Sequence, residues 1–160
     1  GTAGAKDKYT TAIEALRGFQ NRDGSDRYLV PQVLYLQGLL HDRLGDAEEA
    51  EHHWTRVAKE FGGTPEGLAA QIRLGSHFVR GGHFAEGVQR YRQGLEAAKL
   101  LSPFANTWLS KDEIEARLQA SYEQMVKANE YSLAIEFSSA WSPFSEEHRG
   151  LLARASVHRS

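Results

Sequence analysis

Residues 36–54 read LQGLLHDRLGDAEEAEHHW, and residues 73–91 read RLGSHFVRGGHFAEGVQRY, which is the same pattern 37 residues later. In both segments a small residue, Gly38 or Gly75, is followed by a turn glycine, a second small residue and an aromatic residue. The turn glycines are Gly45 and Gly82, the second small residues are Ala50 and Gly87, and the aromatic residues are Trp54 and Tyr91. Self-similarity at a constant offset is typical of a repeat protein.

The apolar residues around these turns have the spacing of amphipathic helices. Ala47, Ala50, Trp54, Val57 and Phe61 follow one another in steps of three or four, which places them on one helix face. Alternation typical of β-strands is hard to find anywhere in the chain. We therefore predict an all-α fold of about eight antiparallel helices. The predicted helices cover residues 5–21, 30–44, 46–61, 65–80, 84–101, 111–127, 130–141 and 145–157.

Local signals support several of these helix ends. Asp46 with Glu49, and Ser110 with Glu113, have the spacing of a capping box, in which side chains and backbone amides bond reciprocally at a helix start. Pro143 separates the last two predicted helices, because proline disrupts the interior of a helix. We expect these signals to set the helix boundaries.

Close packing of antiparallel helices requires small residues where the helices cross. One pair of helices cannot bury both of its faces, so the pairs are expected to stack into a solenoid. The residues predicted to be buried at the crossings are Leu34, Gly38, Ala50, Trp54, Leu74, Gly75, Phe78, Gly87, Tyr91 and Leu118.

Composition excludes several classes of protein. The 160 residues include 19 basic and 21 acidic ones, and this balance argues against a nucleic-acid-binding protein, which would carry a basic stripe. There is no cysteine, so disulfides, thiolate metal sites and a cysteine nucleophile are excluded. No apolar segment is long enough to cross a bilayer. The chain begins with Gly1 and opens on half a repeat, so we expect a single domain, 1–160, cut from a longer protein.

The order of small and aromatic residues resembles the tetratricopeptide repeat family, whose repeat is about 34 residues long. The resemblance implies a right-handed superhelix of antiparallel helix pairs. It divides the chain into a half repeat (5–21), two repeats (30–62 and 64–101), a degenerate repeat (111–141) and a capping or next-repeat helix (145–157). The longer linker at 60–67 is similar to bacterial cell-envelope repeat proteins of the Tol-associated and outer-membrane-assembly kind, which favours the bacterial envelope or periplasm.

The same resemblance implies a scaffold that binds a protein or peptide in the concave groove formed by the first helix of each pair. In this chain the groove residues would be Tyr35, Leu39, Arg43, Ile72, Ser76, Arg80, Gln119, Glu123 and Lys127. Arg43, Arg80 and Lys127 would form a basic edge suited to an acidic segment of the partner. Phe104 and Trp108, in the loop 102–110, would form a second contact site if exposed; alternatively, this loop folds back over helix ends.

The sequence shows no constellation of catalytic residues, and we predict neither enzymatic activity nor a cofactor. His52 and His53 are adjacent, so they do not share a helix face as a chelating pair would. His41 lies on a predicted packing face and is interpreted as a satisfied core histidine, so no metal site is predicted. An alternative function remains open, in which the chain is a regulatory or substrate-recruiting domain of a larger enzyme.

Overall fold

The computed structural model describes residues 2–20, 29–101 and 104–157, and every regular element in those ranges is an α-helix. The helices are α1 (Thr2–Gln20), α2 (Val30–Leu44), α3 (Ala47–Glu60), α4 (Pro65–Arg80), α5 (Phe84–Lys99), α6 (Lys111–Lys127) and α7 (Tyr131–Val157). The all-α class is confirmed. Asn21, the predicted end of the first helix, and Ser102, the predicted start of the long loop, lie outside the described residues.

Local chemistry explains where several helices begin and end. The Thr64 hydroxyl accepts a hydrogen bond from the Gly67 amide at 3.1 Å, which caps α4. Ser110 and Glu113 form both bonds of the predicted capping box at the start of α6. Gly45, with φ of 81°, has the left-handed conformation that ends α2 without steric penalty. The predicted bounds of α2, α4 and α6 are accordingly confirmed to the residue.

The prediction of two helices at the C-terminal end is wrong. A single helix, α7, continues through Pro143. Proline removes one backbone hydrogen bond from a helix, but it does not prevent the helix from continuing where packing compensates. Phe137 and Phe144 lie two turns apart on α7 and are both buried, so one apolar face extends across the proline.

Most helices pack against the next helix along the chain, and several also contact the helix after that. Each helix from α1 to α4 contacts the next one along the chain, and α6 contacts α7. In addition, α2 contacts α4, α4 contacts α6, and α5 contacts α7. Contacts between alternate helices are what the stacking of successive helix pairs requires. Among the described residues, no helix combines the length and the apolar character needed to cross a membrane.

The predicted core is confirmed at every position except Phe78, which is only half-buried. The two repeat glycines explain why the helices approach so closely. A Cβ atom at Gly75 would lie 2.6 Å from Cγ of Tyr91, and one at Gly87 would lie 2.6 Å from Cγ2 of Val79. A larger residue at either position would force a neighbouring side chain or a helix to move.

Candidate functional site

Three of the predicted groove residues are buried and offer no surface to a partner. Tyr35 and Ile72 are 0% exposed and Ser76 is 8% exposed, so the prediction that they line an open groove is wrong. Ile72 points between the helices of its own pair, where a Cβ atom at Gly94 of α5 would lie 2.7 Å from its Cδ1. Tyr35 is covered by the ring of Trp108, with 5.0 Å between the ring centroids.

Hydrogen bonds account for the polar atoms of these buried residues. The Tyr35 hydroxyl accepts from Nε of Arg73 at 2.6 Å, and the Ser76 hydroxyl lies 2.7 Å from the Tyr91 hydroxyl. Tyr91 also bonds Ser121 of α6 at 2.7 Å, so one phenol links three helices. Burial raises the pKa of both tyrosines, which keeps their hydroxyls protonated and able to donate.

The remaining predicted groove residues all reach solvent. Arg43, Arg80, Gln119, Glu123 and Lys127 are exposed, and Leu39 is half-buried. The guanidinium of Arg80 is 3.3 Å from Asp42, and the side chains of Gln119 and Glu123 bond each other at 2.9 Å. The predicted basic edge is therefore partly neutralised at Arg80.

The loop that ends at Ser110 folds back over helix ends, as the alternative interpretation predicted. Nε1 of Trp108 donates to the carboxylate of Glu66 at 2.7 Å, and the Asn106 amide donates to the Pro65 carbonyl at 2.9 Å. The ring of Phe104 packs edge-on against Phe144 with 5.7 Å between centroids. Trp108 thus holds the loop on the N-terminal end of α4, and Phe104 packs it against α7.

An open apolar cleft lies between α1 and α2. Its volume is about 650 Å³, and two of the predicted groove residues, Leu39 and Arg43, line it. The full lining is Tyr9, Ala12, Ala15, Leu16, Leu36, Leu39, Leu40 and Arg43. No residue of α1 was among the predicted site residues, although Tyr9, Ala12 and Leu16 have the three- and four-residue steps of one helix face.

Arg43 is the one charged residue in the lining of this cleft. It is exposed, and no carboxylate in the described part of the chain pairs with it. A guanidinium can bind a carboxylate through two parallel hydrogen bonds, which gives both energy and orientation. The cleft therefore combines an apolar floor with a single unpaired cation.

A second, polar cleft lies beside the turns of the two repeats. Its volume is about 750 Å³. The titratable groups that line it are mostly paired with one another: Nε2 of His77 is 2.9 Å from Glu51, and Arg80 contacts Asp42. Because its main charges satisfy each other, this cleft is a weaker candidate for ligand binding than the apolar one.

Three potential metal ligands meet where α2 and α3 join. His41, Glu49 and His53 each place one ligand atom within 4.8 Å of the others. Burial, followed by the electrostatic effect of the neighbouring His41 ring, lowers the pKa of His53 to about 4. The sequence predicted no metal site here, because His41 was interpreted as a core histidine and its approach to Glu49 and His53 depends on how the Gly45 turn folds α3 back on α2.

Asp46, which lies beside this cluster, does not have its predicted role. It occupies the N-cap position of α3 but makes no side-chain capping bond, so the predicted capping box with Glu49 does not form. Instead its carboxylate lies 3.1 Å from Nδ1 of His41. His41 is 5% exposed, which confirms that it belongs to the core, but its Nε2 has no hydrogen-bond partner among the described residues.

Comparisons of the chain with models of known protein families, with curated proteins and with solved structures give no significant match. The likeness to tetratricopeptide repeats therefore rests on the residues of the internal repeat.

Proposed function

We propose that this chain is a tetratricopeptide-like, right-handed superhelix that acts as a non-catalytic scaffold for a protein partner. The proposal of this architecture is supported by the glycine–aromatic contacts that recur in successive helix pairs and by the packing of α2 on α4 and of α4 on α6. Solenoids of this kind commonly use the surfaces of their stacked helices to bind extended partners.

The apolar cleft between α1 and α2 is the observation that carries this function. Leu16, Leu36, Leu39 and Leu40 form its walls on both helices. All four leucines are half-buried, so each keeps part of its apolar surface in solvent, where a partner can cover it. A third helix fits such a cleft well, because its side chains can interdigitate with the rows of both flanking helices. The partner we propose is an amphipathic helix.

Arg43 gives this partner a charge requirement. An acidic residue near one end of the bound helix would meet the unpaired guanidinium at the edge of the cleft. The leucines would provide most of the affinity, and the ion pair would provide orientation and a faster association rate. Because a single solvent-exposed pair contributes only about 0–1 kcal/mol, we expect a modest dependence of affinity on salt.

Selection from a displayed library of helical peptides tests the proposal. We expect the selected peptides to repeat apolar residues every three or four positions and to carry an acidic residue at one end. Fluorescence anisotropy should then show that Leu39→Asp weakens binding of a selected peptide by tenfold or more. Arg43→Glu should weaken it by about threefold to tenfold, since a tenfold change corresponds to about 1.4 kcal/mol.

Lys59→Glu is the matched control for the charge reversal. Lys59 is an exposed base in the last turn of α3, as Arg43 is in the last turn of α2, so both variants lose the same interaction with the helix dipole. Circular dichroism establishes that each variant is folded. Selected peptides that bind Leu39→Asp and Arg43→Glu as tightly as the unmodified chain would show that the cleft is not the binding site.

A further inference from the structure

The cluster of His41, Glu49 and His53 is built by the α2–α3 turn. Glu49 and His53 are four residues apart on α3 and therefore share one helix face. His41 comes from the last turn of α2, and its ring stacks on that of His53 with 5.3 Å between centroids and 24° between planes. The local geometry of the repeat thus brings two imidazoles and a carboxylate together.

The hydrogen bonds of His41 leave one nitrogen unused. A neutral imidazole has one nitrogen that donates and one that accepts. Asp46 lies 3.1 Å from Nδ1. In the neutral tautomer that donates from Nδ1 to this carboxylate, Nε2 offers a bare lone pair. That lone pair is buried and has no partner among the described residues, and an unsatisfied buried acceptor is costly. Nδ1 of His53 is buried without a described partner as well.

We propose that His41, Glu49 and His53 bind a divalent transition-metal ion of the Zn²⁺ class, with Asp46 as the residue that orients His41. This binding site is separate from the apolar cleft and does not depend on the proposed protein partner. A carboxylate that accepts from one nitrogen of a histidine whose other nitrogen binds metal is a common arrangement around protein metal ions. The carboxylate fixes the tautomer of the ring, orients the lone pair of the metal-binding nitrogen and raises the basicity of that nitrogen.

The donor set favours zinc over the harder cations. Imidazole nitrogens suit Zn²⁺, Cu²⁺ and Ni²⁺, whereas Mg²⁺ and Ca²⁺ prefer oxygen ligands. Two histidines and one carboxylate leave a fourth tetrahedral position, which water can fill. Glu49 has a side chain that is 49% exposed, so an ion can enter from solvent.

Metal binding requires the cluster to contract. Ligand atoms bound at about 2.0–2.1 Å in a tetrahedron lie roughly 3.4 Å apart, which is closer than the 4.8 Å limit within which these atoms lie. Glu49 is exposed enough to change rotamer, so it is the residue that closes most readily on the ion. A bound ion would therefore tie the end of α2 to the first turns of α3.

Nearby charges act in both directions. Arg17 of α1 and His52 both face His53 closely enough to affect its ionisation, and Arg17 opposes the binding of a cation. Glu49 and Asp46 supply two negative charges on the other side of the balance. The two carboxylates match the charge of a divalent ion, and Arg17 weakens this attraction without cancelling it.

Titration of the full untagged chain with Zn²⁺ after removal of metal by EDTA tests the proposal. Isothermal titration calorimetry should give one ion per chain, and Zn²⁺ should raise the thermal midpoint. Co²⁺ should produce the visible absorption bands of a four-coordinate nitrogen–oxygen site. Glu49→Gln and His53→Gln should each weaken Zn²⁺ binding by at least tenfold. Asp46→Asn should weaken it less than either of them, since it removes an orienting contact and no ligand.

Glu48→Gln and His52→Gln are matched controls, because each removes the same chemical group one residue away from a proposed ligand. Both controls should bind Zn²⁺ as the unmodified chain does. Absence of Zn²⁺ binding by the unmodified chain would overturn the proposal. Equal losses in the ligand and control variants would also overturn it, because that result would indicate non-specific binding by surface histidines. Glu49→Gln changes an exposed side chain, so it reports on the site even if His53→Gln does not fold.

Discussion

Trp54 lies so close to Gly38 that a Cβ atom at position 38 would overlap Nε1 and Cδ1 of its indole ring. Tyr91 has the same relation to Gly75, where the added Cβ atom would meet three atoms of the phenol ring. Each aromatic residue is buried, and each follows its glycine by 16 positions. The glycine and the aromatic residue therefore form one packing unit that recurs in successive helix pairs.

Gly38→Ala and Gly75→Ala should each destabilise the fold. The added methyl group has no space, so the ring or the helix must move, which costs about 1–3 kcal/mol of unfolding free energy. Gly18→Ala is the control, because nothing lies within 4 Å of a Cβ atom at that position of α1. It should raise stability by up to about 1 kcal/mol through helix propensity. Urea unfolding measures all three changes, and a neutral Gly38→Ala would refute the tight contact.

Tyr91→Phe should destabilise the fold by removing one hydroxyl that serves three helices. Ser121 would lose a buried partner at 2.7 Å, and Ser76 would keep only its weaker bond of 3.4 Å to the Ile72 carbonyl. Unpaired buried hydroxyls make the expected loss about 1–3 kcal/mol. A double-mutant cycle with Ser121→Ala should give a coupling free energy of about 0.5 kcal/mol or more.

Tyr131→Phe is the control for the loss of a hydroxyl. Tyr131 is 55% exposed, and its hydroxyl donates to Asn129 at the surface. Removing that bond should change the unfolding free energy by less than about 0.5 kcal/mol. If Tyr91→Phe were equally mild, the network of hydroxyls would not contribute to holding α4, α5 and α6 together.

Trp108→Ala should lower stability because the loop holds α4 to the rest of the fold. The substitution removes the contact with Tyr35 and the bond from Nε1 to the carboxylate of Glu66, which is only 7% exposed. For a half-buried tryptophan we expect a loss of about 2–4 kcal/mol. Leu100→Ala, at a residue that is 86% exposed, should be neutral in the same thermal and urea experiments. An unchanged thermal midpoint for Trp108→Ala would show that the tryptophan does not hold the loop, which would again be a candidate binding surface.

The sequence was sufficient for the parts of the fold that local chemistry determines. Helices α2, α4 and α6 begin beside proline, threonine or serine, and α2 and α4 end at glycine. Pro143 shows the limit of such rules, because the buried faces of Phe137 and Phe144 continue the helix through it. A helix-breaking residue does not end a helix when a continuous helix buries more apolar surface.

The candidate sites depend on contacts that the sequence could not reveal. The indole of Trp108 reaches Glu66, which is 42 residues away along the chain, and this return covers the predicted groove at Tyr35. His41 and His53 meet only because the Gly45 turn folds α3 back on α2. Periodicity places a residue on a helix face, but it does not tell which segment covers that face.

The burial of His53 makes stability depend on pH. The pKa of His53 is lowered from 6.5 to about 4, first by burial and then by the electrostatic effect of the neighbouring His41 ring. The groups that face it are His41, His52, Glu49 and Arg17, and of these only Glu49 favours the protonated ring. As the pH falls below about 6.5, the unfolded chain binds a proton that the folded chain does not. Its contribution to stability is therefore complete above pH 6.5 and is lost progressively towards pH 4.

The unfolding free energy of the EDTA-treated chain should accordingly fall between pH 7 and pH 4. The contribution of His53 to this fall should be on the order of 2–3 kcal/mol, since each pKa unit corresponds to about 1.36 kcal/mol. His53→Gln should flatten that part of the profile, because glutamine does not titrate and the unfolded chain gains no extra proton. His52→Gln should keep most of the slope, since His52 is exposed. Urea unfolding at closely spaced pH values measures these profiles. A slope that is the same in His53→Gln and in the unmodified chain would assign the acid sensitivity to other groups.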